Sequence, residues 1–191
     1  MKKVNLKKIL TFLQKAEKQK SLLRHSWLSS GRQESVAEHS WRVALFAMLL
    51  AQVVDENFDI GKVLKMIIVH DLGEIYAGDH HAWKPKLKDK TKKEKAALLK
   101  LTSGLPADLK NEIVSLWQEY EARKTREAKF AKSIDKLETI DQHNLADIKT
   151  WVKEEYKYQF EHGKKEVEYS RVLSDLRKLI NSQSRAKMRR K

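Results

Sequence analysis

The chain has 191 residues, with 40 Lys and Arg against 26 Asp and Glu, for a formal net charge of +14. A hydrophobic fraction of 41% excludes general disorder, and 2 Pro and 6 Gly are too few for the tight turns of an all-β protein. The absence of cysteine excludes disulfides and thiolate metal sites, and the length suits one substantial core, so one all-α domain over residues 1–191 is expected.

Leu6, Ile9, Leu10 and Leu13 recur at helical spacing behind Asn5, a favourable N-cap, and predict a helix over residues 6–20. Residues 21–32 read as an irregular connection ending at Gly31. Ser35-Val36-Ala37-Glu38 has capping-box form and opens a buried helix over 36–54; a third helix covers 60–70, with a further turn over 71–77. Residues 78–90 form a charged connection with Pro85. Later helices are expected at 91–102, 106–121, 126–142, 144–160 and 165–181, and residues 182–191 as a basic, disordered tail.

The longest apolar stretch, Val43 to Val54, falls well short of the ~20 residues a membrane span needs, and no secretory segment opens the chain. The expectation is a cytoplasmic protein without a membrane partner. The positive charge first suggests nucleic acid. It concentrates in residues 1–30, 81–110 and the last eleven positions, whereas residues 31–80 carry 4 basic and 8 acidic side chains.

That acidic block holds most of the chemically informative residues. His39, the pair His70-Asp71, and Asp135 each stand in an apolar helical context, where an unpaired carboxylate is costly unless it binds a cation. Two imidazoles and two carboxylates suit a divalent transition metal with positions left for water and substrate. Glu74 follows His70 by four and Asp71 by three, and Asp79 follows the Ala77-Gly78 break. Carboxylates beside metal ligands are what metal-assisted hydrolysis requires.

The order His39, His70-Asp71, Asp135 resembles the H…HD…D pattern of the HD-domain phosphohydrolases. More narrowly, RQESVAEHSWRVALFAMLLA (32–51), HDLGEIYAGD (70–79) and AKFAKSIDKLETIDQ (128–142) resemble the HD-domain 5′-deoxynucleotidase family, over residues 22–143. The resemblance implies an all-α, bundle-like HD domain, a homodimer, and removal of the 5′-phosphate from nucleoside monophosphates. It implies one divalent metal ion, Co2+ or Mn2+ ahead of Mg2+, Zn2+, Ni2+ or Fe2+, on His39, His70, Asp71 and Asp135. Glu74 then matches the catalytic acidic residue that handles the nucleophilic water, Asp79 an acidic residue of the substrate site, and Arg24 an Arg that helps select the deoxyribose substrate. His25 stands where the bacterial branch has Trp, and His80-His81-Ala82-Trp83 replaces the usual small or apolar residues after Gly78-Asp79.

Two other readings stand beside this one: an HD phosphohydrolase acting on a cyclic or polyphosphorylated nucleotide, and a basic nucleic-acid-binding protein on a degenerate HD scaffold. Among the remaining polar residues, Glu38 is expected to cap its helix, Arg32 to pair with Glu34, and Arg42 to support Glu34 or Asp135. His80, His81, Lys84 and Lys86 read as solvated loop residues. Trp117 and Tyr120 read as core or dimer interface, and Trp151, Tyr156 and Tyr158 as packing residues.

Overall fold

A computed structural model describes residues 5–79 and 89–189. His80, His81, Lys84 and Lys86 lie outside those residues. Asn5 caps α1 (Leu6–Ala16) through its side chain, which accepts from Lys8 N, and a 3-10 turn (Glu17–Lys20) follows. The connection after it is not irregular. Residues Leu23–Trp27 (β1) and Gln33–Ser35 (β2) pair antiparallel, with Leu23 opposite Ser35 and Trp27 opposite Gln33 across one irregularity. Gly31, at φ +85°, supplies the left-handed turn between them. The ribbon packs on the later helix Arg126–Leu145, whose Gln142 Nε2 donates to the Trp27 carbonyl at 2.7 Å.

Ser35 ends the ribbon and starts α2 (Val36–Leu50) with the expected reciprocal box. Its hydroxyl accepts from Glu38 N at 3.2 Å, and the Glu38 carboxylate accepts from Ser35 N at 2.8 Å. Asp59 caps α3 (Ile60–Val69), which gives way to the short α4 (Glu74–Ala77). Then come α5 (Lys90–Thr102), α6 (Ala107–Ala122) and α7 (Arg126–Leu145), the last capped by Thr125. Helix α7 runs through the middle of the fold, packed by α2, α3, α6 and the last helix, Arg171–Arg189. Its Phe130, Ile134, Leu137 and Ile140 meet Val43 and Ala47 of α2 and Val63, Met66 and Ile67 of α3 in one core.

Two expected helices change at their ends. The segment over 144–160 breaks at Ala146, which is extended and buried. A 3-10 turn over Ile148–Thr150 follows, Trp151 buries its ring and donates Nε1–H to the His143 carbonyl, and only then does α8 (Lys153–Glu161) start. At the C-terminal end, α9 spans Arg171–Arg189, so the expected tail is helical to Arg189. Ser184, fully buried, explains why: it bonds Asn144 and accepts from Gln159, while Lys187 Nζ donates to the Asn144 carbonyl. Among the described residues, no helix is long and apolar enough to cross a membrane.

Candidate metal centre

Three helices bring the metal-ligand candidates together. His39 sits in the first turns of α2, His70 and Asp71 follow the last turn of α3, and Asp135 lies midway along α7. Ligand atoms of His39, His70 and Asp135 all lie within 4.8 Å of one another, and all three residues are buried. Asp71 joins them, its Oδ2 3.0 Å from His70 Nε2 and 3.9 Å from His39 Nε2.

The hydrogen bonds decide which imidazole nitrogens face the centre. His70 Nδ1 lies 2.6 Å from the Ile67 carbonyl, which can only accept, so the proton is on Nδ1. Nε2 then presents a lone pair toward Asp71 Oδ2, and it is buried with no hydrogen-bond partner. Two acceptors 3.0 Å apart call for a positive charge between them, a proton or a metal ion. His39 is arranged the same way: Nδ1 donates to Glu138 Oε2 at 2.6 Å, leaving Nε2 3.3 Å from Asp135 Oδ1. A carboxylate behind a histidine fixes its tautomer and strengthens it as a ligand. The donor set therefore fits a divalent metal ion.

Charge around the centre is arranged on both sides. Burial and Arg24 disfavour the His39 imidazolium, but Glu138 and Asp135 outweigh them and raise it to about 9. Burial opposes ionisation of Asp135, yet Lys136, Lys132 and His39 hold its carboxyl well below the usual range. The same burial pushes the Lys136 ammonium down to about 8 against the pull of Asp135. Glu74, also buried, goes the other way: desolvation, reinforced by Asp71 and Asp79, raises its carboxyl well above the usual range.

His39, Asp71, Glu74, Asp79, Arg24 and Asp135 line one cavity of about 540 Å³. Lys90, Glu94, Arg123, Lys132, Lys136 and Thr139 complete much of its wall. Gly73 permits this arrangement, because a Cβ there would lie 2.7 Å from the Glu94 carbonyl oxygen; α5 thus sits hard against the turn that carries Glu74. Lys90 Nζ bonds Glu94 at 3.1 Å at the start of α5.

Several pairings differ from the sequence expectation. Arg32, itself exposed, pairs with the half-buried Glu38 rather than with Glu34, forming two bonds of 2.6 and 3.1 Å that draw the Glu38 carboxyl down to about 2. Glu34 instead takes Arg24 at 2.5 Å, and Arg24 Nη2 reaches Thr139. Arg42 supports Glu138, at 2.9 Å, and Asp141, rather than Glu34 or Asp135. Trp117 and Tyr120 are both buried, and the Tyr120 hydroxyl donates to Asp135 Oδ2 at 2.9 Å. Glu138, Lys132, Lys136 and the Lys90–Glu94 pair are participants that sequence reasoning missed. A signal existed for two of them: Lys132 and Glu138 stand three residues before and after Asp135, on its side of the helix.

An HD-domain family model matches residues 16–177. The chain is 38% identical over 139 residues to the 5′-deoxynucleotidase HDDC2 of Dictyostelium discoideum, covering 69% of this chain and 73% of that protein. It is 36% identical over 141 residues to the 5′-deoxynucleotidase hdd1 of Schizosaccharomyces pombe, covering 70% of each. The crystal structure of a predicted metal-dependent phosphohydrolase from Magnetospirillum magnetotacticum superposes with a TM-score of 0.81 at 32% identity, covering 95% of this chain and 93% of that one. The family resemblance carried by the three sequence segments is thus borne out across the helical frame, and the chain belongs to the HD-domain family.

Proposed function

We propose that this protein is a metal-dependent phosphohydrolase that removes the 5′-phosphate from nucleoside 5′-monophosphates, deoxy forms included. The observation that carries the reading is the unpartnered, buried His70 Nε2, grouped with ligand atoms of His39, Asp71 and Asp135, the last three lining one cavity with the buried Glu74. The names of relatives at 36 and 38% identity support the substrate class.

His39, His70, Asp71 and Asp135 would hold the ion, with Mn2+ or Co2+ as the favoured occupants. A bound divalent ion supplies Lewis acidity, polarising a phosphoryl oxygen and lowering the pKa of water. The chain's residues do the rest. Glu74 holds the attacking water and accepts its proton; burial and adjacent carboxylates make it a stronger base than an exposed glutamate. Glu138 keeps the His39 proton on Nδ1. Asp79 and Arg24, on the cavity wall, contact the sugar, and the Arg24 guanidinium is held for that contact by Glu34 and Thr139. Glu74→Gln should retain Mn2+ yet lose about 10²–10⁴-fold in turnover, whereas Asp71→Ala should lose Mn2+ itself. Normal turnover in Glu74→Gln would remove Glu74 from the reaction.

In the same reading the enzyme acts on the cytoplasmic nucleotide pool as a homodimer. Support for the dimer comes from α2, where Trp41, Leu45, Met48 and Leu49 form one exposed apolar stripe, Trp41 at 66% exposure. Trp41→Glu should shift the protein to monomer in sedimentation velocity; an unchanged dimer would place the interface elsewhere.

A further inference from the structure

Asp135 divides its two oxygens between two tasks. Oδ1 faces His39 Nε2, while Oδ2 takes the Tyr120 hydroxyl at 2.9 Å, Lys132 Nζ at 3.1 Å and Lys136 Nζ at 3.2 Å. The two ammonium groups are not equivalent. Lys132 is committed elsewhere as well: it donates to Tyr120 Oη at 3.0 Å and lies over that ring, 4.5 Å from its centroid. Lys136 is held by Asp135 and keeps further N–H donors for the cavity it lines, since an ammonium carries three.

A second cation held half-buried against one carboxylate oxygen is costly unless an anion joins it. The other cations on the wall are differently placed: Arg24 is paired with Glu34 at 2.5 Å, Lys90 with Glu94 at 3.1 Å and Lys92 with Asp89 at 3.3 Å, and Arg123 is exposed and faces Glu166 at 3.7 Å.

We propose that Lys136 is the phosphate-binding cation of this site, its ammonium donating to a non-bridging oxygen of the substrate's phosphate while Asp135 holds it beside the metal ligands. The assignment rests on the phosphomonoester reading above. It explains why a half-buried lysine stands at this point of α7, with its stem packed against Gly163, where a Cβ would lie 2.7 Å from Lys136 Cβ. Lys132, by contrast, braces Tyr120 and Asp135.

The test uses full-length protein loaded with Mn2+ and orthophosphate as the probe. Calorimetry gives the phosphate dissociation constant, and a separate titration gives the Mn2+ affinity. Loss of one charge-assisted hydrogen bond should weaken phosphate about 10- to 100-fold in Lys136→Met, and Lys136→Arg should recover most of that loss. Mn2+ affinity should change less than about threefold, because Asp135 keeps Lys132 and Tyr120. Phosphate binding in Lys136→Met within about twofold of wild type would overturn the proposal, as would equal losses of Mn2+ and phosphate affinity, which would make Lys136 a support of Asp135. If phosphate binding depends on Lys136 while no nucleotide is hydrolysed, the assignment stands and the nucleotidase reading fails.

Discussion

Glu138→Gln tests whether the metal centre is tuned from behind. Glu138 is fully buried; Oε2 accepts from His39 Nδ1 at 2.6 Å, and Oε1 accepts from Arg42 at 2.9 Å. The amide keeps the shape and one acceptor but removes the charge that favours His39 as a donor to a cation. Removing such a supporting carboxylate typically weakens metal binding 10- to 100-fold, about 1.4–2.7 kcal/mol. Folding should suffer less than for a stranded charge, because Arg24 retains Glu34 and Arg42 retains Asp141. A loss of about 1–3 kcal/mol is expected from the weakened charged hydrogen bonds. Mn2+ titration by calorimetry, with a melting curve on the same sample, separates the two effects. A folded Glu138→Gln protein that bound Mn2+ within about twofold of wild type would refute the claim that Glu138 acts through His39.

Two further predictions concern the frame. Gly73→Ala places a methyl group 2.7 Å from the Glu94 carbonyl oxygen, so α5 must shift from the turn carrying Glu74. The expected cost is about 1–3 kcal/mol of stability together with reduced turnover, and unchanged melting and kcat would show that this contact is slack. Glu155, buried between His25 Nε2 at 3.5 Å and His143 Nε2 at 3.6 Å, has its carboxyl pushed up to about 7 by burial, partly offset by the Val152 N–H. A carboxyl raised in the folded state above its unfolded value of 4.5 stabilises the fold below pH 4.5, and that contribution is lost as pH rises through about 7. Glu155→Gln, which keeps an acceptor for Val152, should therefore gain Tm relative to wild type between pH 5 and pH 8. A Tm difference constant over that range would show that Glu155 does not titrate there.

The helices were legible because their signals are local. The Ser35–Glu38 box, the Asn5 cap and the apolar spacing of α2, α3 and α7 each act within a few residues. The β1–β2 ribbon was not, since Leu23–Trp27 has no apolar alternation and is held by α7 through contacts more than a hundred residues away, such as Gln142 to the Trp27 carbonyl. The helical end of α9 was hidden for a similar reason. Its polar sequence offers no apolar stripe past Asn181, yet Ser184 is buried by hydrogen bonds to Asn144 and Gln159. At the site, residues expected to bind metal or substrate could be nominated by type and order. The pairings could not: which glutamate meets Arg24, Arg32 or Arg42 depends on where three chain segments converge, and one sequence carries no trace of that.

The most direct measurement of the central claim is orthophosphate release by the purified, Mn2+- or Co2+-loaded protein. The panel would contain deoxy- and ribonucleoside 5′-monophosphates, the corresponding di- and triphosphates, and cyclic nucleotides. Release from the 5′-monophosphates, abolished by chelation and restored by added metal, is the predicted result. Release confined to cyclic or polyphosphorylated substrates, or none from any nucleotide with metal bound, would contradict it.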